Sequence, residues 1–492
     1  MAELSPKDFK SMQSGVITDS AVSKFRMPLD SVSLAMNMHF DQVGAATLRK
    51  GTTRLGNQIS ASSNLLGLYQ FNDSGSGTNN QLIAVHGTVA YYLSDSTWTS
   101  KRTGLTTGLK ARFTTFLDFV WMVNGTDATA IWSGATGDSF VTTGNASGAP
   151  IGSDIENFRS RVWITGNPTY PDRLYYSSLP SAVTTPVVTW DTTVTGGQWL
   201  DISPSDGENN TGIKRFKRSL LVFKPNHMYR VYSISETDPD PMINVGTYNK
   251  ESIVEAKDGV YFHHSSGFYK YNEGIPQEIS KPIIDVVKAI ALSNYDTVAG
   301  WLEEDDDHVC WSVGSVTLYG DFTISNCVVR YTISTQVWTI YSYPVQHLIG
   351  ARYKNSSSDK VEVVLGTNDG TVVRYNVGNQ DDASQPIVYD ITHRKYLVDG
   401  LSTTTKDIEK MLFCTDGKMG GAIIQYQRDD DLRNDWSKNV GQIYDMNSYF
   451  SNIDVKGTEL GFRLSGVSEG EPFTYYGFEI LEGTTELNHA TL

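Results

Sequence analysis

Short apolar strands separated by polar turns recur along this chain. Leu220-Leu-Val-Phe223 is followed by Lys224-Pro-Asn226 and then by Met228-Tyr-Arg-Val-Tyr232. Gly259-Val-Tyr-Phe-His263 leads through Ser265-Ser-Gly267 to Phe268-Tyr-Lys-Tyr271. Val361-Glu-Val-Val-Leu365 leads through Thr367-Asn-Asp-Gly370 to Thr371-Val-Val-Arg-Tyr375. Each phrase predicts a β-hairpin, and their repetition predicts a β-propeller. Candidate strands centre near Ile83, Trp121, Val162, Leu221, Val260, Val309 and Val361. Several are spaced by about 40 residues, the length of a four-stranded blade. The wider gaps predict inserted loops, above all around residues 184–207. The expectation is an all-β fold with a six-bladed propeller over residues 57–378. Seven blades is the alternative count, if one hairpin closes the ring with the preceding arm. The spacing is too irregular for WD40 repeats, and Trp-Asp occurs only at Trp190-Asp191.

The flanking segments read differently. Residues 1–56 show little strict alternation and end in Arg49, Lys50 and Arg54. They predict an extended arm, either draped over the body to close it or reaching a neighbouring subunit. One helix is predicted near 281–292. Ser280 is placed to cap it, Pro282 suits its first turn, and Ile283, Val286, Val287, Ile290 and Ala291 share one face. After the polar linker Asn379–Gln385, strands are expected over 387–392, 411–413, 422–427, 459–465 and 475–481. They predict a C-terminal β-sandwich over 379–492, with residues 486–492 fraying.

Composition narrows the function. Hydrophobic residues make up 39% and charged residues 19% of 492 residues, with 43 Gly and 26 Tyr, a profile that suits turn-rich β structure. The net charge of −15 disfavours general nucleic-acid binding, which needs Lys and Arg on phosphates. An acidic wall would instead repel DNA sliding past it, although solubility alone also explains the charge. The three cysteines, Cys310, Cys327 and Cys414, make neither a disulfide framework nor a zinc motif. Cys310 and Cys327 are expected as small buried side chains. The N-terminus does not read as a secretion signal. The longest apolar stretch, Ile283 to Leu292, is too short to span a membrane.

Candidate chemistry is sparse. Glu303-Glu-Asp-Asp-Asp-His308 is the densest acidic run, but it lacks the spacing and glycine of a calcium loop. It could hold a cation such as Ca²⁺ but reads rather as a solvated turn between strands, and Asp429-Asp-Asp431 reads the same way. Residues 209–235 hold six basic and no acidic residues, including Lys214, Arg215, Lys217 and Arg218. They could meet phosphates or an acidic neighbour, or protect a strand edge from mispairing. Tyr229, Tyr232, Tyr261, Phe268, Tyr269 and Tyr271 could stack on sugars but fit an inter-blade core as well. Ser94-Asp-Ser-Thr-Trp98 lacks the glycine and spacing of a sialidase turn. Nucleophile elbow, P-loop, dinucleotide fingerprint and His-Glu-x-x-His are all missing from the sequence. The expectation is no enzyme, no cofactor and no metal.

The order of four stretches resembles the tail nozzle or DNA-stabilisation proteins of short-tailed bacteriophages. The first is Pro28-Leu-Asp-Ser-Val-Ser-Leu-Ala-Met-Asn37 with Phe40-Asp41, Gly44 and Arg49-Lys-Gly51. The second is Asn157-Phe-Arg-Ser-Arg-Val-Trp-Ile-Thr-Gly166 with Asp172-Arg-Leu-Tyr-Tyr-Ser-Ser177. The third is Trp199-Leu-Asp-Ile-Ser-Pro-Ser-Asp-Gly207 with Thr211-Gly-Ile-Lys-Arg-Phe216 and Leu220-Leu-Val-Phe-Lys224. The fourth is Glu251-Ser-Ile-Val254 with Asp258-Gly-Val-Tyr-Phe262 and Gly267-Phe-Tyr-Lys-Tyr271. The resemblance implies a virion structural protein made in the host cytoplasm. It implies a ring, commonly of six copies, below portal and adaptor, with packaged DNA passing through its lumen without sequence-specific binding. Arg49, Lys50, Lys214, Arg215, Lys217, Arg218, Glu303 and Asp305 are then candidate subunit or DNA contacts. The alternative is a carbohydrate- or receptor-binding propeller, with a propeller glycosidase behind it.

Overall fold

A computed structural model describes residues 2–19, 27–61, 63–73, 80–181, 186–190, 198–234, 240–354, 360–401, 403–428, 438–444 and 448–487. The Asp429-Asp-Asp431 turn, Asp191, parts of the 184–207 insertion and residues 488–492 lie outside them. Antiparallel meanders stand around one axis. Blade I comprises Leu65–Phe71, Gln81–His86, Val89–Ser94 and Thr97–Arg102. Blade II has three strands, Arg112–Phe116, Phe119–Val123 and Ala130–Trp132. Blade III holds Asp154–Phe158, Arg161–Thr165, Arg173–Tyr176 and Gln198–Asp201; blade IV holds Gly212–Phe216, Ser219–Phe223, Met228–Val231 and Asp240–Ile243. Blade V holds Val254–Ala256, Gly259–His264, Gly267–Tyr271 and Gln277–Glu278.

The expected six-blade arrangement is present as separate sheets, these five and a last one. That last blade, VII, has His347–Lys354, Val361–Thr367 and Val372–Tyr375, and takes Thr52–Arg54 of the arm as its fourth strand. Between blades V and VII a further meander, VI, occupies its own radial position with Ala299–Leu302, His308–Leu318, Phe322–Thr332 and Trp338–Tyr341. Through Thr52–Arg54 the arm therefore closes the ring.

Meander VI does not end at Tyr341. Ile340 pairs in parallel with Met36 of the arm strand Ser31–Met36, which pairs on its other edge with Val388–His393. One sheet thus runs from the propeller into Leu460–Val467, Ala422–Arg428 and Lys438–Ile443. A second sheet is built on Thr404–Gly417 and Phe473–Leu487, with Ser448–Gly457 on one side and the arm strands Ala46–Leu48 and Met38–Phe40 on the other. Ile391, Ile424 and Leu464 of the first sheet share one apolar cluster with Met411 and Ile480 of the second. Phe462 meets Phe478 at 4.9 Å between ring centroids. These faces make a β-sandwich, whose burial removes on the order of 1.5–3 kcal/mol of apolar hydration per large side chain.

Alternation explains the blades. Val222 and Leu220 face Trp163 and Leu174 of blade III, while Leu221 and Phe223 face Val260 and Phe262 of blade V. Tyr229, Tyr261, Phe268 and Tyr271 are core, whereas Tyr232 is exposed. All three cysteines are buried thiols. The helical segment is shorter than expected, a 3-10 turn Lys281–Ile283 followed by Ile284–Ala289. Ile283, Val286, Val287 and Ile290 are buried, but Ala291 faces out. Ser280 does not cap it, because its hydroxyl accepts the Phe268 N–H at 3.0 Å.

The ring closure is tight at one glycine. A Cβ on Gly51 would lie 1.8 Å from the Gln380 carbonyl oxygen. Gly51→Ala is expected to lower stability by about 1–3 kcal/mol, the usual range for overpacking. A urea titration reads this directly, and an unchanged midpoint would refute the tight closure.

Candidate functional site

The first strands of neighbouring meanders pack against one another around the propeller axis. Their N-terminal end is cross-braced by charge. Arg112 at the start of its strand donates from Nη2 to Glu251 Oε2 at 2.5 Å. Lys110 donates from Nζ to Asn249 Oδ1 at 3.1 Å and to the Asp296 carbonyl at 2.5 Å, with Glu251 at 3.5 Å. Asp154 accepts the Ile213 N–H at 2.6 Å and stands 3.0 Å from Lys250 Nζ. Desolvation pushes the Asp154 carboxyl up against the pull of Lys250 and Arg112. Desolvation likewise lowers Lys110, opposed by Glu251. This network ties blades II and III to the segments entering blade V and meander VI. No motif announces it, since Lys110 and Glu251 are distant in sequence and meet only through closure of the ring.

Midway along the axis, Lys214 Nζ lies 3.0 Å from Glu255 Oε2. Desolvation would lower this ammonium, but Glu156 and Glu255 outweigh it and raise the pKa. Lys214 is therefore an internal bridge between blades IV and V. A cavity of about 330 Å³ opens beside it, lined by Glu255, Gly300, Trp301, Leu302, Gly350 and Arg352 among others. Arg215 is exposed and donates to Asn157 Oδ1 at 3.0 Å.

The other end of the axis carries the tight turns between first and second strands. Lys217, at φ 50°, and Arg218 form the blade IV turn, and both are exposed. Lys217 Nζ reaches Glu273 and Asn272, each at 2.9 Å. In meander VI the equivalent turn is the acidic run. Glu304 and Asp305 are exposed there, and Asp305 accepts from His308 Nδ1 at 2.6 Å. Against the desolvation that would raise it, this bond and the Asp307 N–H hold the Asp305 carboxyl down to about 2. Asp306 pairs with Arg352, and Asp307 accepts the Ser334 N–H at 3.0 Å.

Two sequence-level assignments need correction. Glu303 is buried, not a contact. Its carboxylate binds Arg330 Nε at 2.8 Å and Tyr375 Oη at 3.0 Å inside the interface with blade VII. It shares a small grouping with Asp305 and His308 whose ligand atoms lie within 4.8 Å of one another, but Arg330 already neutralises it. Arg49 is also internal, clasping Asp381, and only Lys50 beside it is exposed. The reason is closure: the arm segment after Leu48 passes between the propeller and the linker, which buries the side chain that faces inward. Among the described residues no helix is long and apolar enough to cross a membrane.

No family model matches the chain, and no curated protein matches it in sequence. Among solved structures it is similar to YCF48 from Cyanidioschyzon merolae, at 12% identity over 66% of this chain and 98% of that one, with a TM-score of 0.41. It is also similar to the extracellular domain of the hybrid two component system BT4673 from B. thetaiotaomicron. There the identity is 11% over 76% of this chain and 45% of that one, with a TM-score of 0.45.

Proposed function

We propose that this chain is a structural subunit of the tail nozzle or hub of a short-tailed phage. Copies assemble head to tail into a ring, six by the resemblance, below the portal and adaptor. Packaged DNA passes through the lumen of that ring and is held without sequence-specific contacts. The observation that carries this reading is the sheet shared between propeller and sandwich through Ile340, Met36 and Asp390. A subunit that retains a pressurised genome must transmit force between its lobes without hinging, and continuous backbone hydrogen bonding does so. The ion pairs that brace the propeller axis fit a lumen between copies rather than through one propeller. The exposed Lys217 and Arg218 turn and the exposed Glu304 and Asp305 turn lie at one end of the propeller. They supply opposite charges for a heterologous interface that closes on itself.

Immunogold electron microscopy of a phage lysate, with antibody against this chain, is expected to label the tail below one capsid vertex. Label absent from particles would overturn the reading. Lys217→Glu with Arg218→Glu is expected to abolish ring assembly while leaving the melting temperature within a few degrees, because exposed charges contribute little to stability. Rings that survive this double reversal would remove these turns from the interface.

A further inference from the structure

The outer edge of blade III carries an arginine held between two aromatic rings in the open. The Arg173 guanidinium carbon lies 3.8 Å from the Tyr170 ring centroid and 4.4 Å from that of Trp199. Both rings remain solvent-exposed, Tyr170 by 48% and Trp199 by 36%. Cross-strand register places the group: Arg173 is opposite Asp201, and Tyr175 is opposite Trp199, so the four side chains share one face. Asp201 Oδ1 accepts from Arg173 Nε at 3.2 Å, and the Tyr175 ring braces Trp199 at 6.3 Å. The other face of the same strands is ordinary core, with Leu174, Tyr176 and Leu200 packed toward blade IV.

The displayed face looks toward blade II, and that neighbour is short. Blade II has three strands, and its outer position holds only the single bridge between Ile131 and Val141. Val188 and Trp190 fill the inner part of this interface against Trp121. Beyond that bridge, blade II sets no fourth strand against the face that carries the aromatic group. Large aromatic surface is normally buried because each ring removes much apolar area from water. Here two exposed rings flank a guanidinium that is itself paired with Asp201, which sets stacking surface and polar groups side by side as a ligand would need rather than as core packing does.

We propose that Tyr170, Arg173, Trp199 and Asp201 form a saccharide-binding platform. A pyranose has an apolar face of C–H groups and an equatorial rim of hydroxyls. The C–H face stacks on an exposed aromatic ring. Vicinal hydroxyls donate to a carboxylate such as Asp201 and accept from a guanidinium such as Arg173, and the ion pair fixes both groups in position. Neutral or weakly acidic sugars fit, because one anionic and one cationic group nearly cancel. This site stands independently of the nozzle reading and assigns the chain a surface-glycan contact of its own.

Saturation-transfer NMR on the full chain tests it, with methyl α-D-glucopyranoside, methyl α-D-galactopyranoside, chitotriose and galacturonic acid as probes. Transfer to ring C–H protons of at least one probe is expected, with binding at least tenfold weaker in Trp199→Ala. Tyr170→Ala, in the turn before the strand, is expected to weaken it as well and guards against misfolding of the first variant. Tyr232→Ala, an exposed aromatic in blade IV, should leave binding unchanged. No transfer from any probe overturns the proposal, and so does transfer that survives both platform variants.

Discussion

Arg49→Met is expected to destabilise the protein by about 3–5 kcal/mol, the usual consequence of stripping one partner from a buried ion pair. Arg49 and Asp381 are each 2% exposed. The guanidinium donates to Asp381 Oδ1 at 2.9 Å and Oδ2 at 2.7 Å, to Asn37 Oδ1 at 2.8 Å and to the Ser342 carbonyl at 2.8 Å. It also stacks 4.0 Å over the Tyr343 ring. These partners come from the arm, the end of meander VI and the linker into the sandwich. One side chain therefore ties together the closing strand, the shared sheet and the second lobe. Methionine keeps the bulk but leaves the Asp381 carboxylate buried without its charge partner. Equilibrium urea denaturation measures the loss, and adding Asp381→Asn should recover part of it, since the orphaned charge is then gone. A loss below about 1 kcal/mol would show that the clasp is not structural.

Acid is expected to unfold this protein early, with stability falling as pH drops below about 6.5. Burial lowers three histidines to about 3: His263, His347 and His393. The ring nitrogens of His263 and His347 have no hydrogen-bond partner among the described residues. Arg49 further lowers His347 while Asp369 opposes it, and His264 further lowers His263. His393 is hydrogen-bonded to the neutral hydroxyls of Tyr396 at 3.3 Å and Tyr475 at 3.0 Å. The sign follows from proton binding. The unfolded chain protonates near 6.5 and the folded chain near 3, so below 6.5 the unfolded state binds more protons. The stabilisation is complete above about 6.5 and is lost as pH falls toward 3, at roughly 1.4 kcal/mol per pH unit for each histidine. Desolvation raises the Asp154 and Asp390 carboxyls, which acts in the opposite sense within the carboxylate range. Burial also lowers His39 to about 4, so urea midpoints between pH 7.5 and 4.5 should show this slope, and His347→Phe should flatten it by about one quarter. A flat profile over that range would contradict the burial of these imidazoles.

Much of the propeller is legible in the linear pattern of residues. Short apolar runs such as Leu220–Phe223 and Gly259–His263 are buried at every position, and their length between polar turns marks them as strands from local pattern alone. The aromatic residues Tyr261, Phe268 and Tyr271 are legible as core for the same reason. The arm is not, because Ser31–Met36 is buried at nearly every position and owes its strand form to neighbours on both edges. The expected helix exceeds the real one because its last apolar residue, Ala291, lies beyond the turn that ends it. Charge misleads at Arg49 and Glu303, where a basic end and an acidic run look like surface. Nothing in a linear pattern distinguishes an exposed ion from one whose partner arrives from hundreds of residues away.

The chain by itself therefore determined the β class, the blade hairpins, the sandwich strands and the lack of catalytic motifs, since all of these depend on neighbours close in sequence. Tertiary structure alone decided the rest. It placed the arm in three different sheets, joined propeller to sandwich through one parallel pair, and turned Arg49 and Glu303 inward. It gathered Lys110, Arg112, Asp154, Lys250 and Glu251 at one end of the axis, and it left the Arg173 platform open beside a short blade. Each of these depends on closure of the ring, which sets distances between residues that the sequence holds far apart.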